Sequence, residues 1–179
     1  GAATGCILES GFLVRKVRFQ VALLPVVKLL SALVIHTFFI ALCIAMFAGY
    51  GFPPRVNLLQ IGYYLAACSL FALGLSWFTS SLVLFYRDLG QIVGMLLQFG
   101  MWLTPVFWQA DSLPARWRPL VEYNPMHYIV RGYRDAFMSD AWFWNYPGDT
   151  LYFWTVTTVI FVTGALVFRR LKPHFADVL

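Results

Sequence analysis

Four long apolar runs constrain this chain more than anything else in it. Val21 to Ala48, Leu58 to Phe85, Leu89 to Trp108 and Leu151 to Phe168 are each close to or above the ~20 residues that cross a bilayer as helix. In hydrocarbon every backbone N–H and C=O must be satisfied within the protein, so a span is a helix or part of a closed barrel. The runs are continuous and do not alternate, which excludes a barrel. The chain is 60% hydrophobic and 12% charged, too little charge to wet a soluble surface. A polytopic, all-α membrane protein with one domain over residues 1–179 is expected.

The polar residues between the runs set the topology. Ile7 to Phe19 (ILESGFLVRKVRF) mixes apolar Leu8, Phe12, Val14 and Phe19 with Glu9, Arg15, Lys16 and Arg18, which fits an interfacial segment on the cytoplasmic surface. Gly49 to Asn57 is a Gly/Pro loop, and Tyr86-Arg87-Asp88 is a tight charged turn. After the third run come two short pieces. One follows Ser112, a suitable N-cap, through Pro114, Arg116, Trp117 and Leu120. The other opens at Asn124-Pro125, an N-cap followed by Pro at the first helical position. Met126, Ile129, Val130, Tyr133 and Phe137 then recur at helical spacing, with Arg131, Arg134 and Asp135 opposite. This helix of roughly 14 residues is too short to span. With both chain ends inside, the cytoplasmic segments hold seven Lys and Arg against five outside. The net charge of +5 is therefore a topology signal and not a nucleic-acid footprint.

Catalytic patterns are missing. No G-x-x-x-x-G-K-[ST], H-E-x-x-H, G-x-S-x-G or C-x-x-C occurs. Cys6, Cys43 and Cys68 lack metal-ligand spacing, and His36, His127 and His174 lie in different segments. His36 falls near mid-span, where a polar residue is either packed through a hydrogen bond or part of a site. Arg131 and Arg134 on one helix could hold a phosphate, as a membrane enzyme acting on polyprenyl phosphates would require. Aromatics make up 18% of the chain, many of them after residue 100, and sugar rings stack on aromatic faces.

The segments FYRDLGQIV, LTPVFW and YNPMHYIVRGYRDAF, in that order, with FRRLKPHFADVL at the end, resemble type 2 ABC-exporter permeases, and within them the branch that exports O-antigen, capsule or teichoic acid. The resemblance covers nearly the whole chain. It implies a six-span protein, of which these four spans look like the C-terminal two-thirds. It implies that residues 6–20 hold the coupling segment docking on a separate ATPase subunit, with Leu8, Phe12, Arg15 and Lys16 as contacts. Arg87 and Asp88 become a cytoplasmic turn. Residues 112–140 become periplasmic gate helices, and Trp108, Trp117, Asn124, Pro125, Tyr128, Arg131, Tyr133, Arg134 and Trp142 become the gate and glycan path. The implied assembly is a permease homodimer with ATPase subunits in the bacterial inner membrane, moving a lipid-linked glycan. No cofactor, metal or nucleic acid is implied for this chain, since ATP and Mg would be bound by the partner. An exporter of drugs or lipo-oligosaccharides is the alternative within the superfamily.

Overall fold

A computed structural model describes residues 1–10, 20–52, 55–108 and 112–175. Every regular element among them is helical: α1 (Cys6–Glu9), α2 (Leu23–Gly49), α3 (Gln60–Val83, entered through a 3-10 turn, Val56–Leu59), α4 (Leu89–Leu103), α5 (Arg118–Glu122), α6 (Pro125–Met138) and α7 (Pro147–Leu171, continued by a 3-10 turn, Lys172–His174). Three helical segments, Leu23–Gly49, Val56–Val83 and Pro147–His174, are long and apolar enough to cross a membrane.

α2 keeps its proline where the sequence allows it, with Pro25 buried in the first turn. Its end is a Schellman motif. Gly51 takes φ 85 and donates its N–H to the Ala48 carbonyl at 3.1 Å, while the Phe52 N–H reaches the Phe47 carbonyl at 3.0 Å. The Phe47 and Phe52 rings, 6.1 Å apart, supply the apolar contact that accompanies such a cap.

The third apolar run divides. α4 holds 15 residues and ends at Leu103, a rise of roughly 22 Å against a hydrocarbon core of about 30 Å. Thr104 turns extended, its hydroxyl returning to the Gly100 carbonyl at 2.7 Å, and Pro105 is buried. Proline cannot continue a helical ladder, so residues 104–108 leave the α4 axis. The fourth run behaves oppositely. Its helix begins at Pro147, ahead of Leu151, because Pro at the first turn gives up only an N–H that has no helical partner.

α3 and α7 form the most extensive contact, running side by side in the same direction. Two glycines make the seam. A Cβ on Gly74 would stand 2.7 Å from Phe161 Cα, and one on Gly164 would meet the Gly74 carbonyl oxygen. Close backbone approach of this kind is how apolar helices associate where no hydrophobic effect separates them from lipid. Two clusters cap the pair. At one end Cys6, Ile7, Val21, Leu84, Phe168 and Phe175 bury together, tying α1 and the entry to α2 onto the ends of α3 and α7. At the other end Tyr64, Ala67, Phe71, Tyr128, Ile129 and Phe153 bury α6 against the same two helices. α2 buries Pro25 and no other residue, and α4 buries none, so both turn apolar faces outward.

Two expectations from the sequence are corrected. The piece after Ser112 is helical only over Arg118–Glu122, and Trp117, not Ser112, precedes it. Pro119 clashes with the carbonyl four residues back and has no N–H, so one helix cannot run from Ser112 to Leu120. The buried face of α6 is Tyr128, Ile129, Gly132 and Ala136, rotated from the apolar stripe read in the sequence. Small residues decide this face, because the Tyr64 ring lies where a Gly132 Cβ would be.

Candidate functional site

α6 is the element on which most of the candidate residues sit. Asn124 starts it as the sequence requires: its side-chain oxygen accepts the Met126 N–H at 3.0 Å, and Pro125 follows at the first helical position. The same side chain donates its amide to Thr104 Oγ1 at 2.8 Å, so one residue both caps α6 and holds the segment leaving α4.

Arg131 and Arg134 leave the helix toward different partners. Arg131 donates from Nη1 to Asp149 Oδ2 at 3.0 Å, and its Nε lies 3.9 Å from Asp135. The guanidinium carbon lies 3.6 Å from the Tyr146 ring centroid. Arg134 donates from Nη2 to the carbonyls of Val106 at 2.9 Å and Trp108 at 3.0 Å. Hydrogen bonds from a charged donor contribute about 1.5–3 kcal/mol, against about 0–1 for an exposed ion pair such as Arg55–Asp140 at 3.3 Å. Arg134 is thus a second fastening of the 104–108 segment to α6, beside the Asn124–Thr104 bond. The two guanidiniums, engaged with separate elements, do not converge on a shared anion.

The tyrosines form a continuous network. Trp154 Nε1 donates to Tyr63 OH at 2.7 Å, Tyr63 OH lies 3.0 Å from Tyr128 OH, and Tyr128 OH lies 3.1 Å from Thr150 Oγ1. Thr150 Oγ1 in turn donates toward the carbonyls of Phe143 and Tyr146, both at 3.0 Å. Ring contacts extend it from Tyr133 through Tyr64, Tyr63, Phe143 and Trp144 to Trp142. On the far side His36 Nε2 meets Tyr133 OH at 3.1 Å with the rings edge to face. That bond joins α2 to α6, and the Phe47–Phe137 ring pair at 5.1 Å is a second junction. Burial pushes Tyr133 up to about 12 and raises Tyr128 also, so both phenols stay protonated and can donate throughout the physiological range. Burial, and then the Arg131 charge, lowers the His127 imidazole below its ordinary value and favours the neutral ring.

The other sequence candidates fall as follows. Tyr128 is 7% exposed and packs in the core cluster with Tyr64, Ile129 and Phe153. Trp142 stacks on Trp144 at 4.5 Å with planes 7° apart. Trp108 donates its indole N–H to the Trp102 carbonyl at 3.3 Å, while Trp117 lies exposed under the Arg116 guanidinium at 4.9 Å, and neither joins the tyrosine network. Arg87 and Asp88 are exposed at the α3–α4 turn. Leu8 is half-buried, packed on the Cys6–Phe175 cluster. Phe12, Arg15 and Lys16 lie outside the described residues. Sequence reasoning missed Tyr63, Tyr64, Thr150 and Trp154. The paired tyrosines inside an otherwise apolar run were the available signal, since a buried phenol needs a partner. Among the described residues no three His, Cys, Asp or Glu side chains gather as metal ligands would.

Comparison with known proteins places this architecture. Two curated proteins, each an O-antigen export system permease protein RfbA from Klebsiella pneumoniae, are similar to the chain. One is 29% identical over 136 residues, covering 73% of this chain and 49% of its own length. The other is 25% identical over 174 residues, covering 96% of this chain and 66% of its own length. The chain therefore spans about half to two thirds of the relatives it matches. The profile described as ABC-2 type transporter matches residues 2–138, from the first turns through the whole of α6, and on that match the chain belongs to the ABC-2 type transporter family.

Proposed function

We propose that this chain is the membrane-spanning part of an ATP-driven exporter of a lipid-linked polysaccharide of the O-antigen type. The observation that carries the proposal is the family match over residues 2–138, joined to two relatives named for O-antigen export. An ATPase subunit binds ATP and Mg and docks on the segment that includes residues 11–19. Two copies of the permease enclose the glycan path in a bacterial inner membrane. The two chain ends and the Arg87–Asp88 turn face the cytoplasm, and α6 closes the outer side.

The architecture supports this division of labour. α1, which leads into the docking segment, is anchored in the same cluster as the ends of α3 and α7. α2, which leaves that segment, buries little along its length and reaches α6 through His36–Tyr133 and Phe47–Phe137. A displacement at the ATPase side then passes along this 27-residue helix to α6. This chain performs no covalent chemistry; it binds, orients and gates.

The test is co-purification of the full-length permease with its ATPase, followed by ATP turnover with and without a lipid-linked glycan. A stable complex whose turnover rises with glycan is the expected result. Absence of a complex, or turnover of a polyprenyl-phosphate substrate without any ATPase, overturns the proposal.

A further inference from the structure

The two stretches that flank residues 11–19 end on the same part of α3. On the leading side Thr4 Oγ1 lies 3.2 Å from Thr79 Oγ1, and Cys6 and Ile7 share a buried cluster with Leu84. On the trailing side the Trp77 indole N–H donates to the Ala22 carbonyl at 3.2 Å, and Val21 joins the same cluster. Lys28 Nζ donates to Glu9 Oε2 at 3.0 Å, so the two stretches are also tied to each other.

Trp77 stands where three helices meet. It lies one turn beyond Gly74, whose missing Cβ lets the α7 backbone approach at Phe161. Its ring meets the Phe161 ring at 5.3 Å, and its N–H holds Ala22, the residue before α2 begins. A partly buried indole N–H needs an acceptor, and this one takes a main-chain carbonyl. Such a bond holds the backbone itself, whichever way neighbouring side chains turn. α2 buries Pro25 and no other residue, so little packing stops its first turn from sliding on α3.

The consequence is mechanical. Without the Trp77 bond, a push delivered at residues 11–19 would tilt α2 and leave α3 and α7 behind. With it, the start of α2 and the α3–α7 seam move as one body. The Glu9–Lys28 pair is exposed and adds little stability, yet it fixes the spacing of the two stretches, so the leading one is carried along.

We infer that Trp77 is a positioning residue for energy coupling: by fixing Ala22 to the α3–α7 seam it turns a movement driven from the ATPase side into a movement of α3 and α7 together with α2, with Glu9 and Lys28 closing the same frame. The inference rests on the exporter reading and adds to it a route that does not pass through α6. Its test uses full-length permease and ATPase reconstituted in proteoliposomes. The readouts are ATPase affinity, ATP turnover with and without glycan, and glycan moved per ATP hydrolysed. Trp77→Phe keeps a ring beside Phe161 and removes the N–H donor. It lowers glycan moved per ATP several-fold and leaves ATPase affinity unchanged. Glu9→Lys and Lys28→Glu each lower the same ratio, and the two together, which restore opposite charges, recover it. These exposed positions leave the buried cluster intact and carry the test where Trp77→Phe does not assemble. A wild-type ratio in Trp77→Phe, or charge variants that do not recover when combined, overturns the inference. A lowered ratio that tracks weakened ATPase binding also overturns it, since Trp77 would then only shape the docking surface. In each of these cases a wild-type complex that exports glycan leaves the exporter reading standing, whereas a wild-type complex without glycan-stimulated turnover is the failure of that reading.

Discussion

Single residues in this protein hold more than one element, and that makes them testable. Asn124 caps α6 and also bonds Thr104, so Asn124→Ala loses both. Thermal denaturation in detergent should show a loss of about 1–2 kcal/mol, and Asn124→Asp, which keeps only the cap, should recover about half. Gly51 sits at φ 85 at the end of α2, where an L side chain is strained. Gly51→Ala should cost about 1 kcal/mol in the same measurement, with Gly51→Asn milder. His127 carries a pH signature. Its folded-state value lies below the ordinary 6.5, so its contribution to stability is fully present above 6.5 and is lost as pH falls through the folded value. Midpoint temperatures measured from about pH 7.5 down to about pH 5 should fall in wild type and fall less in His127→Gln.

At the scale of elements, α3, α6 and α7 are joined by small residues as much as by large ones. Gly132 lets the tip of the Tyr64 ring press against α6, and Gly74 with Gly164 lets the backbones of α3 and α7 touch. Gly132→Leu should detach α6 from α3. Limited proteolysis should then cut near residues 139–146 while the α3–α7 pair stays intact. Resistance equal to wild type would show that the Tyr64–Gly132 contact does not hold the cap. The periodicity of α6 was legible in its sequence, as were its cap and its length. The face it buries was not, because a stripe of large apolar residues predicts burial only when the opposing surface accepts bulk. Tyr64 supplies the bulk here, so the glycine and alanine positions turn inward. The break in the third apolar run was half legible: Pro105 announced it, yet the bonds of Arg134 to Val106 and Trp108 join residues 26 to 28 positions apart and carry no local signature.

For the whole molecule, α2 meets α6 through the His36–Tyr133 bond and the Phe47–Phe137 ring pair, and under the proposed function these junctions carry movement to α6. His36→Leu and Tyr133→Phe each remove the same bond and leave the packing clusters of α3 and α7 untouched. Glycan export by the full complex should drop several-fold in either variant, and the double variant should be no worse than the single ones, since one interaction is lost. ATPase binding should be unchanged. Additive loss in the double variant would show that His36 and Tyr133 act separately. Tyr128, Tyr133 and Trp142, grouped in the sequence as a glycan path, lie in one network of ring contacts, with Tyr128 in the core and Tyr133 meeting α2.

The sequence by itself determined the class of this protein. Runs of apolar residues too long and too uncharged for water can only be helices in lipid, and the charged turns and the Asn-Pro cap follow from local chemistry. Family membership was legible in the same way, in short motifs at fixed order. The tertiary structure decided which residues meet: that Arg131 and Arg134 point apart, and that Tyr63 and Tyr64 join α3 to α6 and α7. Those outcomes depend on how three helices pack against one another, and the free energy of such packing belongs to pairs of distant residues that no window of the chain contains.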